Sequence, residues 1–89
     1  MDIIEECRWL AGALRVCGRP ALAHLVEVYP YLPRHLREGV WQAVTAELAF
    51  DDPRERVLRD AASAIDSVGI DRAGHAIERS RDAWEALAT

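Results

Sequence analysis

The sequence predicts an all-α protein, a compact bundle of about five short antiparallel or orthogonal helices. Helix stops and starts cut the 89 residues into five helix-sized pieces. Apolar residues within each piece recur at spacings of three and four, and no segment sustains the alternation of two that a strand requires. Connections of roughly two to four residues favour antiparallel neighbours. A chain of 89 residues has room for one domain, residues 1–89, and one core. Its stability is marginal unless packing is good or a partner covers more surface, so homo-oligomers are compatible with it.

The first helix is expected at about 2–17, where Asp2 stands three residues before Glu5 in the arrangement of a capping box. Ile3, Ile4, Cys7, Leu10, Ala11 and Leu14 form its stripe. Gly18 suits a left-handed terminator and Pro20 a first helical position, so a second helix runs from 20 to 29 on Leu22, Leu25, Val26 and Tyr29. Pro30 and Pro33 frame a stiff connector around Tyr31 and Leu32, and Pro33 opens a third helix over 33–50 with Leu36, Val40, Ala43, Val44 and Leu48 inward. Asp51-Asp52-Pro53-Arg54-Glu55 is the strongest start signal in the chain, joining an N-cap, a first-position proline and an early acid. The fourth helix then spans 53–68 on Val57, Leu58, Ala61, Ala62, Ile65 and Val68. Gly69 closes it, and Asp71 is positioned to cap a fifth helix over 71–88, with Ala73, Ile77, Trp84 and Leu87 on its stripe.

Composition bounds the setting. No apolar run approaches ~18 residues, and the acidic start is unlike a signal peptide, so the expected location is the cytoplasm, with no membrane association. Cys7 and Cys17 lie ten residues apart on one helix, a rise of ~15 Å that no disulfide spans, and they read as buried reduced thiols. All eleven basic residues are Arg, and Lys and Asn are absent. Because Lys and Asn use A-rich codons, this composition points to a GC-rich bacterial genome or its phage. A net charge of −4 argues against direct nucleic-acid binding.

No catalytic, metal or cofactor site is predicted. His24, His35 and His75 fall on three different helices, the two cysteines match no zinc spacing, and Gly-rich phosphate loops and nucleophile elbows are missing. Candidate surfaces are of another kind. Trp9 points roughly 150° from the centre of the first stripe and shares that side with Ala13 and Val16. Either this helix is central and buried all round, or the three residues are a contact surface for another chain. Arg34, His35 and Arg37 crowd the start of the third helix, against its dipole. They read either as partners of acidic neighbours or, with Tyr31, as a patch for an acidic protein. Trp84 is expected in the core and Trp41 half buried.

A small acidic helical bundle of this size is similar in general appearance to death-fold-like adaptor domains, to effector-associated adaptor modules of bacterial defence systems, and equally to small acidic inhibitors encoded by phages. The likeness is one of fold, with no motif behind it. The expected function is a non-enzymatic interaction module that binds another protein or a copy of itself through Trp9, Ala13 and Val16, then Tyr31, Arg34 and Arg37. The alternative is an acidic phage or mobile-element inhibitor that blocks a bacterial nucleic-acid-handling complex with Asp51, Asp52, Glu55 and Asp60.

Overall fold

A computed structural model describes residues 2–88, with the side chain of Ala88 excepted, and among them every regular element is helical. The order is α1 Ile3–Val16, α2 Pro20–Val28, a 3-10 turn Tyr29–Tyr31, α3 Arg34–Arg37, α4 Val40–Glu47, α5 Pro53–Val68 and α6 Gly74–Ala88. No helix among the described residues is long and apolar enough to cross a membrane. The helices pack as α1 on α2, α4 on α5 and α5 on α6, with α5 also touching α1. One contiguous core collects Leu10 and Leu14 from α1, Val26 from α2, Val44 from α4, Leu58 from α5 and Ile77 from α6.

The sequence signals explain the first turn closely. Asp2 accepts from the Ile4 amide at 3.0 Å and caps α1. At the other end Gly18 takes φ +75°, its amide donates to the Arg15 carbonyl at 3.0 Å, and the Arg19 amide donates to the Leu14 carbonyl at 2.9 Å. That pair of bonds is a Schellman motif, which satisfies carbonyls the helix would leave bare and turns the chain toward α2. Arg15 and Glu27 then pair across α1 and α2 at 2.7 Å, half exposed, a contact worth at most about 1 kcal/mol.

Three boundaries differ from expectation. The helix expected over 33–50 is two helices, α3 and α4, because Gly39 adopts φ +80° after an extended Glu38. The break leaves Leu36, assigned to the inward stripe, 53% exposed, while Val40 and Val44 are buried. The helix also stops at Glu47, since Leu48 is extended and the Ala49 amide donates at 3.0 Å to the Glu55 carboxylate. Finally α6 begins at Gly74 and not at 71. Asp71 lies in a turn closed by the Arg72 amide on the Gly69 carbonyl, and the Ile77 amide reaches the Ala73 carbonyl. That turn lets half-buried Ile70 pack against the core before α6 starts.

The start of α5 follows its signal. Asp52 accepts from the amides of Arg54 at 2.9 Å and Glu55 at 3.3 Å, with Pro53 in the first turn. Glu55 is nevertheless a core-side residue and not a surface acid. Its Oε1 accepts from the Arg19 guanidinium at 2.8 Å as well as from Ala49, so one carboxylate ties α5 to the α1–α2 turn and to the end of α4. Glu55→Ala therefore strands a partly buried amide and a guanidinium and lowers the unfolding free energy by about 2 kcal/mol in urea titration. Arg19→Ala, whose side chain is a third exposed, costs only about 1 kcal/mol. Gly39→Ala, by forcing a left-handed φ on a residue with a Cβ, costs about 1 to 2 kcal/mol although nothing crowds that Cβ. Equal stability of these variants and the parent would contradict the described contacts.

Candidate functional site

The interior holds one polar anomaly. Glu6, on α1, is 6% exposed, and neither its Oε1 nor the buried Trp41 Nε1 has a hydrogen-bond partner among the described residues. Both side chains line the same tight apolar cleft between α1, α4, α5 and α6, together with Cys7, Leu10, Ile65 and Ile77. Burial raises the Glu6 pKa, with the Arg81 guanidinium opposing the shift. Burial likewise pushes the Cys7 thiol up to about 12, and raises that of the less enclosed Cys17. Neither cysteine is thus set up as a nucleophile, because the thiolate is the reactive form. Among the described residues no three His, Cys, Asp or Glu side chains gather in a metal-ligand cluster.

The residues singled out in the sequence do not form one surface. Ala13 is a correction: it is 5% exposed and belongs to the core, because α1 buries a second side where α2 packs. Trp9 is half buried beneath the Arg81 guanidinium, 5.4 Å from its ring centre, which joins α6 to α1. Val16 alone of the three stands out in solvent. Arg37 is a second correction to an open cationic patch. Its Nε donates to the Leu32 carbonyl at 2.9 Å, another of its nitrogens donates to the Pro30 carbonyl at 2.7 Å, and the group lies over Tyr29. These bonds brace a proline-framed connector whose carbonyls lack helical partners, and they account for cations at the start of α3 better than any acidic neighbour does. Tyr31 and Arg34 remain exposed beside it. Trp41 is fully buried, edge-on to Tyr29 at 5.0 Å, whereas Trp84 is half buried under Arg54 at 5.1 Å.

The acidic set divides too. Glu55 is buried in the Arg19 ion pair and leaves that surface, and Asp52 is engaged with two backbone amides. Asp51 and Asp60 do come together, along a groove between α5 and α6. Its wider end, about 770 Å³, is formed by Phe50, Pro53, Arg56 and Leu87; its narrower end, about 340 Å³, by Ala64, Ala76, Arg79 and Ser80. Val57, Asp60 and Ala83 line both ends, so the helices run antiparallel with these residues at mid-groove.

Phe50 dominates this groove and was not singled out by periodicity. It is 61% exposed and bracketed by the guanidinium groups of Arg56 at 4.9 Å and Arg59 at 5.2 Å. Leu87, assigned to the core stripe of the last helix, is instead 46% exposed at the same end. The available signal was compositional: Phe50 is the sole Phe, and it sits outside every stripe immediately before the capping sequence Asp51-Asp52-Pro53. Compared with known proteins, the chain matches no family model, no curated sequence and no solved structure.

Two measurements check the interior. A carboxyl whose pKa is higher folded than unfolded holds its proton more tightly in the fold. Its contribution is therefore fully present in acid and is lost as pH rises above the ordinary carboxylate range. Glu6→Gln is expected to unfold at higher urea than the parent at pH 7, with the difference shrinking toward pH 4; a less stable variant at pH 7 contradicts the sign. In the folded chain, iodoacetamide at pH 8 is expected to leave Cys7 unmodified while Cys17 reacts slowly, and peptide mass analysis after denaturation should show both labelled alike.

Proposed function

We propose that this protein is a non-enzymatic interaction module, a cytoplasmic adaptor-like domain that docks a protein partner on the groove between α5 and α6. The observation carrying this reading is Phe50. A large aromatic ring exposed on a short loop loses hydration-favourable burial unless something covers it, and aromatic and Arg side chains together are the composition of interface hot spots. The groove continues from it over apolar Val57, Ala83 and Leu87, with charges at its edges, the layout of an apolar centre and a polar rim. Tyr31 and Leu36 are also exposed, outside this groove.

The reading as an acidic inhibitor of a nucleic-acid-handling complex has less support. Two of its four carboxylates, Asp52 and Glu55, are engaged within the fold, and Asp51 and Asp60 share their groove with Arg56. A phosphate mimic needs a run of unpaired negative charge, and this surface mixes signs.

The test is affinity capture with the tagged chain and its Phe50→Glu variant from extracts of the cells that make it. Phe50 is exposed, so the variant retains the fold, which its helical circular dichroism verifies. The expected outcome is one or a few proteins recovered by the parent and reduced about tenfold or more by Phe50→Glu. Equal recovery by both would remove the groove from the interaction, and loss on reversing Asp51 and Asp60 alone would favour the acidic reading.

A further inference from the structure

The groove also suggests which partner fits it, an inference that rests on the interaction reading above. We infer that its occupant is the same groove on a second copy of this chain, related by a two-fold axis through Val57 and Ala83. The two ends of the groove differ in kind. One end carries the exposed side chains of Phe50 and Leu87; the other is narrower and floored by the small residues Ala64 and Ala76. Phe50, on the loop before α5, and Ala64, on α5, lie on opposite sides of Val57 along the groove. A half turn about Val57 therefore carries the protruding end of one copy onto the small-residue end of the other, at both ends at once, which is the self-complementarity an isologous contact requires.

The charges obey the same operation. Arg79 stands at the small-residue end and Asp51 at the protruding end, so the half turn sets Arg79 of each copy against Asp51 of its mate. Asp60, next to the axis, is brought toward Arg56 of the other chain. The lining residues thus offer two cations, Arg56 and Arg79, and two anions, Asp51 and Asp60, in an order that the groove's own rotation complements, while Arg59 is held over Phe50. A polyanion or an acidic peptide gains no net attraction from such a balanced set, whereas a surface with the same charges reversed in order gains at every pair. The chain's net charge of −4 does not prevent approach at physiological salt, where repulsion beyond ~8 Å is screened.

The experiment is sedimentation equilibrium of the full chain from micromolar to about 1 mM, a span that covers weak dimers. The expected result is a reversible dimer that Phe50→Glu converts to monomer. Arg79→Asp and Asp51→Arg should each weaken it by about tenfold, and the two together should restore it to within about threefold of the parent, since the swapped pair is again opposite in sign. The restoration separates a real cross-chain pair from damage to the fold. A monomer at every concentration, or a dimer indifferent to Phe50→Glu, or single-charge variants with no rescue, would overturn the inference. A monomer that still captures another protein in a Phe50-dependent way overturns the self-pairing alone and leaves the interaction reading standing.

Discussion

The fold turns on one carboxylate. Glu55 sits in the first turn of α5, where the helix dipole favours a negative charge, and its Oε1 holds both the Arg19 guanidinium and the Ala49 amide. Arg19 is the residue between the Schellman turn of α1 and the proline that opens α2, and Ala49 is the point where α4 has ended and the chain must turn back. One group therefore fixes two chain reversals against the helix that touches most of the others. The hydrophobic core supplies the driving force, but it is non-directional and tolerates sliding; the bonds to Glu55 select the register in which α1, α4 and α5 meet.

Arginine has a second, more distributed part in the structure. Five guanidinium groups lie over aromatic rings: Arg37 on Tyr29, Arg54 on Trp84, Arg81 on Trp9, and Arg56 with Arg59 on Phe50. Each contact contributes about 0.5 to 1 kcal/mol at such exposure, and the planar guanidinium can stack on the ring as well as attract its face. The chain has no Lys to compete for these places. Three of the five join elements or brace a connector. The pair over Phe50 is different, because exposed Arg56 and half-buried Arg59 bracket a ring that stands outside the core.

How much of this could be read from the residues depends on whether the determining contact is local. The caps at Asp2 and Asp52 and the Gly18 turn are set within a few residues and were legible, as was most of each helix stripe, with Leu36, Ala43 and Val68 the exposed exceptions in mid-chain. The early end of α4 was not, since it is fixed by the Glu55 carboxylate six residues on, and the Gly39 break was not, since a glycine inside a periodic stripe is consistent with a continuous helix until Leu36 has to choose a side. Periodicity also misassigned Ala13 and Leu87. It reports a favoured face for each helix, but a central helix such as α1 buries two, and the end of α6 runs past the core that its stripe would join.

The same limit explains why the candidate surface moved from α1 to the α5–α6 groove. An interaction surface is what remains after the fold has taken the side chains it needs, and that remainder is a property of the packed molecule. Trp9 and Arg37, conspicuous in the sequence, are both occupied in holding elements together. Arg79 is inconspicuous in the sequence, and among the described residues neither it nor Asp51 nor Asp60 makes a side-chain hydrogen bond or ion pair that the fold depends on; they border a groove with an exposed ring at one end. Charges that a fold does not use cost little to retain on a solvated surface, so their presence alone proves nothing. Their order does carry information: anion, cation, anion, cation along one antiparallel seam, beside protrusions at one end and small residues at the other, is a pattern that helix formation and core packing leave undetermined and that a two-fold contact would specify.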